Sequence, residues 1–298
     1  MNDREQQGGV AEGIAAFAIW GFMPSFWKLL GGVPPAELLC HRMIWSLTFM
    51  LILLTASRIW TPFLKACRKP RNLIFFFGSS LCLGINWLTF LYGVQTDQVL
   101  QASLGYYINP LFNVALGAIF LKEKKRPLQW IAVAFATVGV LHETLALDQV
   151  PWIALVLAFS FGAYGLLRKI APLDSLQGMA LETAIFFPFS IGWLLYLWAN
   201  GNTTVQDMST SQQIILASSG VVTAIPLLLF AASARKVHLS TLGIMQYLAP
   251  SLMFLQGVFM YDEPFTKGRF ITFILIWIGV ILYAAEGFLT QRRRGAEG

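Results

Sequence analysis

Two stretches, "GYYINPLFNVALGAIFLKE" at residues 105–123 and "MQYLAPSLMFLQGVFMYDE" at 245–263, decide how this chain folds. At a fixed offset of 140 residues they align Tyr107 with Tyr247, Pro110 with Pro250, Gly117 with Gly257 and Glu123 with Glu263. The same offset pairs Gly139 with Gly279 downstream and Lys28 with Arg168 upstream. The identities are sparse, but several at one spacing mark an internal duplication.

Each copy sits in apolar sequence. Hydrophobic residues make up 56% of the 298-residue chain and charged residues 12%, against about 25% charged in a soluble globular protein. Runs of roughly 20 apolar residues, each able to cross a hydrocarbon core about 30 Å thick, recur throughout. Ten spans fit, at about 11–30, 36–56, 72–94, 99–121, 128–145, 151–168, 177–199, 212–234, 239–261 and 268–289. Seventeen of the 21 Lys and Arg residues fall at the termini and in the even-numbered connections. By the positive-inside bias both termini are then cytoplasmic. The net charge of +6 reads as topology control, and no nucleic-acid partner is expected.

Five spans per copy is an odd number, so the second copy enters the membrane from the opposite side. The fold class is an all-α integral membrane protein of ten transmembrane helices in two five-helix inverted-topology repeats, residues 1–148 and 149–298. Such repeats are the usual architecture of secondary transporters, because exchanging the conformations of two equivalent halves turns an outward-open state into an inward-open one. No GxxxxGK string followed by Ser or Thr is present to bind a nucleotide, which leaves a gradient as driving force, by proton coupling or by facilitation. His41, His142 and His238 lack HExxH spacing and no GxSxG elbow occurs, so no enzyme is expected. Cys40, Cys67 and Cys82 lack metal-ligand spacing, and neither metal nor other cofactor is expected. A facilitative channel or a lipid scramblase remains the alternative. Asp3, Arg4, Glu5 and Glu12 precede the first apolar run, unlike the basic start of a cleavable signal peptide.

The strings "HRMIWS", "GINWLTFLYGV", "QASLGYYINPL", "LSTLGIMQYLAPSLMFL" and "QRRR" resemble the RarD family within the drug/metabolite transporter superfamily, whose members pair two EamA-type domains. The resemblance covers nearly the whole chain. It implies a permease of the bacterial inner membrane, with a central cavity formed by the first four helices of each half and the fifth and tenth helices peripheral. Its partners would be a small organic metabolite or drug and membrane lipid.

Ionisable and polar groups inside spans are expensive, by about 2.5–3.5 kcal/mol each on insertion scales, and so are the candidates for function. Arg42 lies about six residues, or roughly 9 Å, into the second span. It either snorkels to the interface near Glu37 or faces the cavity as a cation for a substrate anion. His41 beside it is a candidate for proton coupling or for packing. Glu182 is the offset partner of Arg42, and it is either a proton acceptor on its own side of the cavity or a structural partner of a neighbouring hydroxyl or a cytoplasmic interface residue. A direct Arg42–Glu182 bridge is not expected, since the two lie about as deep from opposite faces. Pro110 and Pro250 are candidate hinges, each freeing a backbone carbonyl near mid-membrane. Tyr106, Tyr107, Asn109 and Asn113 beside one, and Gln246 and Tyr247 beside the other, would then line the cavity. Trp20, Asn86, Trp87 and Tyr164 complete an aromatic and amide set suited to a planar or cationic organic molecule. Glu123 and Glu263 are expected to start the fifth and tenth spans, next to Pro127 and Pro264.

Overall fold

A computed structural model describes residues 3–96, 99–145, 150–260 and 267–296. Its described residues form α1 (Asp3–Lys28), α2 (Pro35–Ala56), α3 (Trp60–Cys67), α4 (Pro70–Gln95), α5 (Val99–Ile119), α6 (Pro127–Leu145), α7 (Trp152–Lys169), α8 (Ser175–Ala199), α9 (Thr210–Lys236), α10 (Leu239–Gln246), α11 (Leu248–Met260) and α12 (Lys267–Ala296), with no strand among them. Among the described residues seven segments are long and apolar enough to cross a membrane, α10 and α11 counting as one, and parts of α6 and α12 form two shorter apolar helices. The protein is a multi-pass helical membrane protein. Glu263 and Pro264 lie outside the described residues.

Helix starts follow local chemistry. Pro35, Pro70 and Pro127 occupy first helical positions, where a missing N–H leaves no bond unmade. The Asp174 carboxylate accepts from the Gln177 amide (2.8 Å) ahead of α8, and Ser209 with Gln212 forms a capping box ahead of α9. The second connection is not wholly irregular: it contains α3, a short helix that buries Phe63 and Ala66 and carries Lys65 in its last turn. The two prolines of the duplicated stretches behave differently. Pro110 lies inside an unbroken α5, whereas the backbone is interrupted at Tyr247, three residues before Pro250, splitting α10 from α11. A proline ring clashes with the carbonyl four residues earlier and removes a donor, which permits a break there without requiring one, since Pro24, Pro188 and Pro226 also lie inside unbroken helices.

The extensive helix contacts join the first half of the chain to the second, and they come in matched sets. Helix α1 packs on α9 as α4 packs on α7, α1 on α11 as α5 on α7, and α2 on α9 as α4 on α8. Three further pairings, α2 with α8, α5 with α10 and α6 with α12, join offset equivalents to each other. The offset-related glycines explain the last. A Cβ at Gly139 would sit 3.2 Å from the Thr272 carbonyl oxygen, and one at Gly279 would sit 2.6 Å from that of Ala132. Both let α6 and α12 approach backbone to backbone, the small-residue packing of membrane helices.

Most described cations gather at one end, the basic end, with the connections after α2, α5, α7 and α9. There Lys236 pairs with Glu12, Arg235 donates to the Leu173 carbonyl, and Lys169 donates to those of Ala234 and Val237. At the opposite end Glu37, fully buried, accepts from Thr203 Oγ1 (2.7 Å), Thr204 Oγ1 (2.9 Å) and the Thr204 amide, tying α2 to the α8–α9 connection.

Candidate functional site

Arg42 points between helices. Its Nε donates to Thr223 Oγ1 of α9 at 3.0 Å, and its Cζ lies 4.6 Å from the Trp27 ring centre on α1 and 5.7 Å from that of Trp87 on α4. The Tyr106 phenol of α5 is within electrostatic range, and Tyr106 remains 39% exposed. Arg42 is itself half-buried. Glu37, a turn above, is occupied by Thr203 and Thr204, so it does not hold the guanidinium. Two ring faces around a cation are worth about 0.5–2 kcal/mol each, more as water is excluded. Trp87 also meets Phe186 of α8 at 5.7 Å. His41 is half-buried, with the Glu37 carboxylate in electrostatic range.

Glu182 lies in a sealed setting. Its carboxylate accepts from Ser79 Oγ on α4, from the Tyr164 phenol (3.3 Å) and from Arg168 Nη1 (3.4 Å), both on α7. Both members of the Arg168–Glu182 pair are 1% exposed. Arg168 Nη2 donates to the Ser175 carbonyl (3.2 Å), and its guanidinium lies 5.8 Å from the Phe76 ring. Gly178 makes room: a Cβ there would overlap Arg168 Nη1 and sit 2.7 Å from Phe76. As the sequence suggested, Arg42 and Glu182 have separate partners. Arg168, which sequence reasoning counted among loop cations, is the partner it missed.

The residues around the prolines converge on the α5–α10 contact. Asn113 Nδ2 donates to Gln246 Oε1 (3.0 Å) and to Asn109 Oδ1 (3.3 Å), leaving Asn113 Oδ1 buried without a partner. The Tyr247 phenol donates to the Tyr107 carbonyl (3.2 Å), so offset equivalents bond to each other. Gly243 lets α10 approach, since a Cβ would lie 2.7 Å from the Pro110 carbonyl oxygen. The other candidates lie elsewhere. Trp20 and Tyr164 join an aromatic cluster with Phe17, Phe161 and Phe230, Tyr164 being fully buried. Asn86 is turned to the Leu157 carbonyl (3.0 Å) and Ser160 Oγ (3.1 Å), tethering α4 to α7. Trp27 and Thr223 also belong to these contacts, and neither carries a motif that singles it out in the sequence.

Glu123 requires a correction. It serves the start of α10, not α6: its carboxylate accepts from the amides of Leu239 (2.6 Å) and Ser240 (3.1 Å) and from Ser240 Oγ (2.6 Å). Burial pushes its pKa up, but these bonds and one from His238 outweigh burial and hold it down to about 2. Among the described residues no three His, Cys, Asp or Glu side chains converge to hold a metal ion.

Comparison with known proteins gives this geometry its context. The profile of the EamA-like transporter family matches the chain twice, over residues 7–142 and 150–285. An uncharacterised transporter of Vibrio cholerae serotype O1 is 40% identical over 287 residues, 96% of this chain and 95% of its own. Protein RarD of Escherichia coli (strain K12) is 39% identical over 296 residues, 98% and 99% of the two chains. One crystal structure superposes with a TM-score of 0.72 at 19% identity over 92% of this chain and 96% of its own, a likeness of fold. The chain belongs to the EamA-like transporter family, as a RarD-like member.

Proposed function

We propose that this protein is a secondary transporter that moves a small organic molecule across the bacterial inner membrane by alternating access. Ten spans, in inverted halves at residues 1–148 and 149–298 with both termini cytoplasmic, belong to the same reading. The observation that carries it is the matched set of helix contacts. Each pairing between the two halves recurs with the roles exchanged, or joins offset equivalents. A bundle built this way has two arrangements of similar energy available, one open at each end, which is what alternating access needs. The relatives named as transporters support the same reading, and chemistry on a bound substrate is no part of it. Arg42, Trp87 and Tyr106, with Trp27 and Thr223, are the residues that meet substrate. The α5–α10 cluster and the break before Pro250 supply the moving joint.

The test is uptake by purified protein in proteoliposomes preloaded with unlabelled compound, with and without an imposed pH gradient. Saturable, trans-accelerated exchange of one compound class is expected, and a pH-gradient effect decides proton coupling. Flux that rises linearly with concentration favours a channel, and lipid flip-flop without solute exchange favours a scramblase. Either result, or no exchange across amino acids, nucleosides, organic acids and drugs, overturns the proposal.

A further inference from the structure

The 140-residue offset relates the surroundings of Arg42 to those of Glu182. Glu182 on α8 is held by α7 and α4, and Arg42 on α2, its counterpart, is held by the equivalent helices α1 and α9 together with α4. Three donor types surround the Glu182 carboxylate: the Arg168 guanidinium, the Ser79 hydroxyl and the Tyr164 phenol. The same three types meet at the other site as Arg42, Thr223 and Tyr106. Thr223 accepts from Arg42 there, which leaves its hydroxyl proton free to donate. Among the described residues no carboxylate pairs with Arg42, and the counterpart of Arg168 is another cation, Lys28. One site holds its own carboxylate; the other gathers the same chemical types of donor, with Arg42 standing at the carboxylate's own position, and among the described residues it has no carboxylate.

We infer that the site between Trp27, Arg42, Trp87, Tyr106 and Thr223 binds the carboxylate of a small aromatic or otherwise flat organic monoanion. The inference rests on the transporter reading and names its substrate class. The guanidinium and the two hydroxyls take the carboxylate as Arg168, Ser79 and Tyr164 take that of Glu182. The flat body lies beside the guanidinium that the Trp27 and Trp87 rings already flank, with aromatic contact and cation attraction acting together. A single negative charge fits, because one guanidinium neutralises it. A phosphate dianion would leave a net charge in a low-dielectric setting, where uncompensated charge is expensive. Planar bidentate pairing likewise suits a carboxylate on arginine.

The experiment is ligand binding by the purified full chain in a neutral detergent, read by thermal unfolding and tryptophan fluorescence. The probes are benzoate, phenylacetate and indole-3-acetate, each against its uncharged amide. At least one carboxylate is expected to raise the unfolding temperature while its amide does not, and Arg42→Gln is expected to weaken binding at least about tenfold. Arg42→Lys, which keeps charge but loses the planar fork, falls between. Should Arg42→Gln not fold, Thr223→Val and Tyr106→Phe carry the test, each expected to weaken carboxylate binding severalfold and leave any amide binding unchanged. Equal binding of acid and amide, unaltered binding in the variants, or no response to any carboxylate overturns the inference. So does a shift produced by added phosphatidylglycerol and not by the carboxylates, which would make the anion a lipid headgroup. Since binding in detergent needs no transport, carboxylate binding without exchange in proteoliposomes counts against the transporter reading alone.

Discussion

The two ends of this molecule treat arginine differently. Toward the basic end, Arg168 is 1% exposed and faces a carboxylate that is equally buried. Toward the other, Arg42 is half-buried between two indoles, with a threonine hydroxyl as its hydrogen-bond acceptor. The offset pairs Arg42 with Glu182 and Lys28 with Arg168, so duplication supplied equivalent backbone positions and substitution made them chemically unlike. A buried ion pair closes its end with no net charge even though Arg168 Nε is left without a hydrogen-bond partner, and it is strongly unfavourable to break from one side. A cation stacked on tryptophan keeps its end responsive to whatever anion arrives.

The largest predicted effect is on the sealed end. Glu182→Gln leaves Arg168 charged and uncompensated among Phe76, Tyr164 and Ser175, at a cost of about 3–5 kcal/mol, seen as a lower unfolding temperature in detergent. Combining it with Arg168→Gln removes the unpaired charge and recovers most of the loss. A single variant as stable as the parent would break the comparison. Gly178→Ala pushes a methyl group against Arg168 and Phe76 and is expected to destabilise by about 1–3 kcal/mol. Its counterpart Leu38 faces no such pair, so trimming Leu38 to Ala should leave the Arg168–Glu182 contact unaffected.

Glu123 sharpens the contrast in pH. Glu123→Gln is expected to lower stability by about 1–2 kcal/mol at neutral pH, as the loss of a helix cap does. The folded carboxyl is held down to about 2, below its ordinary range near 4.3. Its contribution is therefore fully present above about pH 4.5 and is lost as the pH falls toward 2. Unfolding of the parent and the variant should converge over that window and run parallel from pH 5 to 8. A stability effect no larger belongs to the open end. Arg42→Gln loses one hydrogen bond and the contacts to two rings at a half-buried site, about 1–2 kcal/mol, yet it should abolish substrate exchange. Large unfolding in Arg42→Gln would assign that residue to the scaffold.

The helical class and the apolar spans were legible because composition and span length depend on the solvent around the chain and need no tertiary information. The offset was legible because duplicated positions keep identities such as Gly139 and Gly279, whose packing role shows only in the α6–α12 contact. Arg168 was misread because distance from a span end says nothing about helix rotation. Placed near the end of α7, it looked like a topology-setting cation, although Gly178 across the α7–α8 turn leaves it room. Glu123 was misread because Pro127 is its neighbour in sequence, whereas its partners Leu239 and Ser240 are brought to it by the α5–α10 contact. The break at Tyr247 was foreshadowed by Pro250, but the intact helix at Pro110 was not, since local chemistry at the two prolines is alike.

The most direct test is labelling from the two sides of the membrane, in a background with Cys40, Cys67 and Cys82 replaced by alanine. A cysteine at Tyr106 is predicted to react with a membrane-impermeant maleimide from the side carrying the α1–α2 connection. A cysteine at Ser79 is predicted to stay unreactive from the basic side until Glu182→Gln and Arg168→Gln are introduced together. A Ser79 cysteine that reacts freely from the basic side with the ion pair intact, or a Tyr106 cysteine that reacts from neither side, would contradict the sealed and open ends described here.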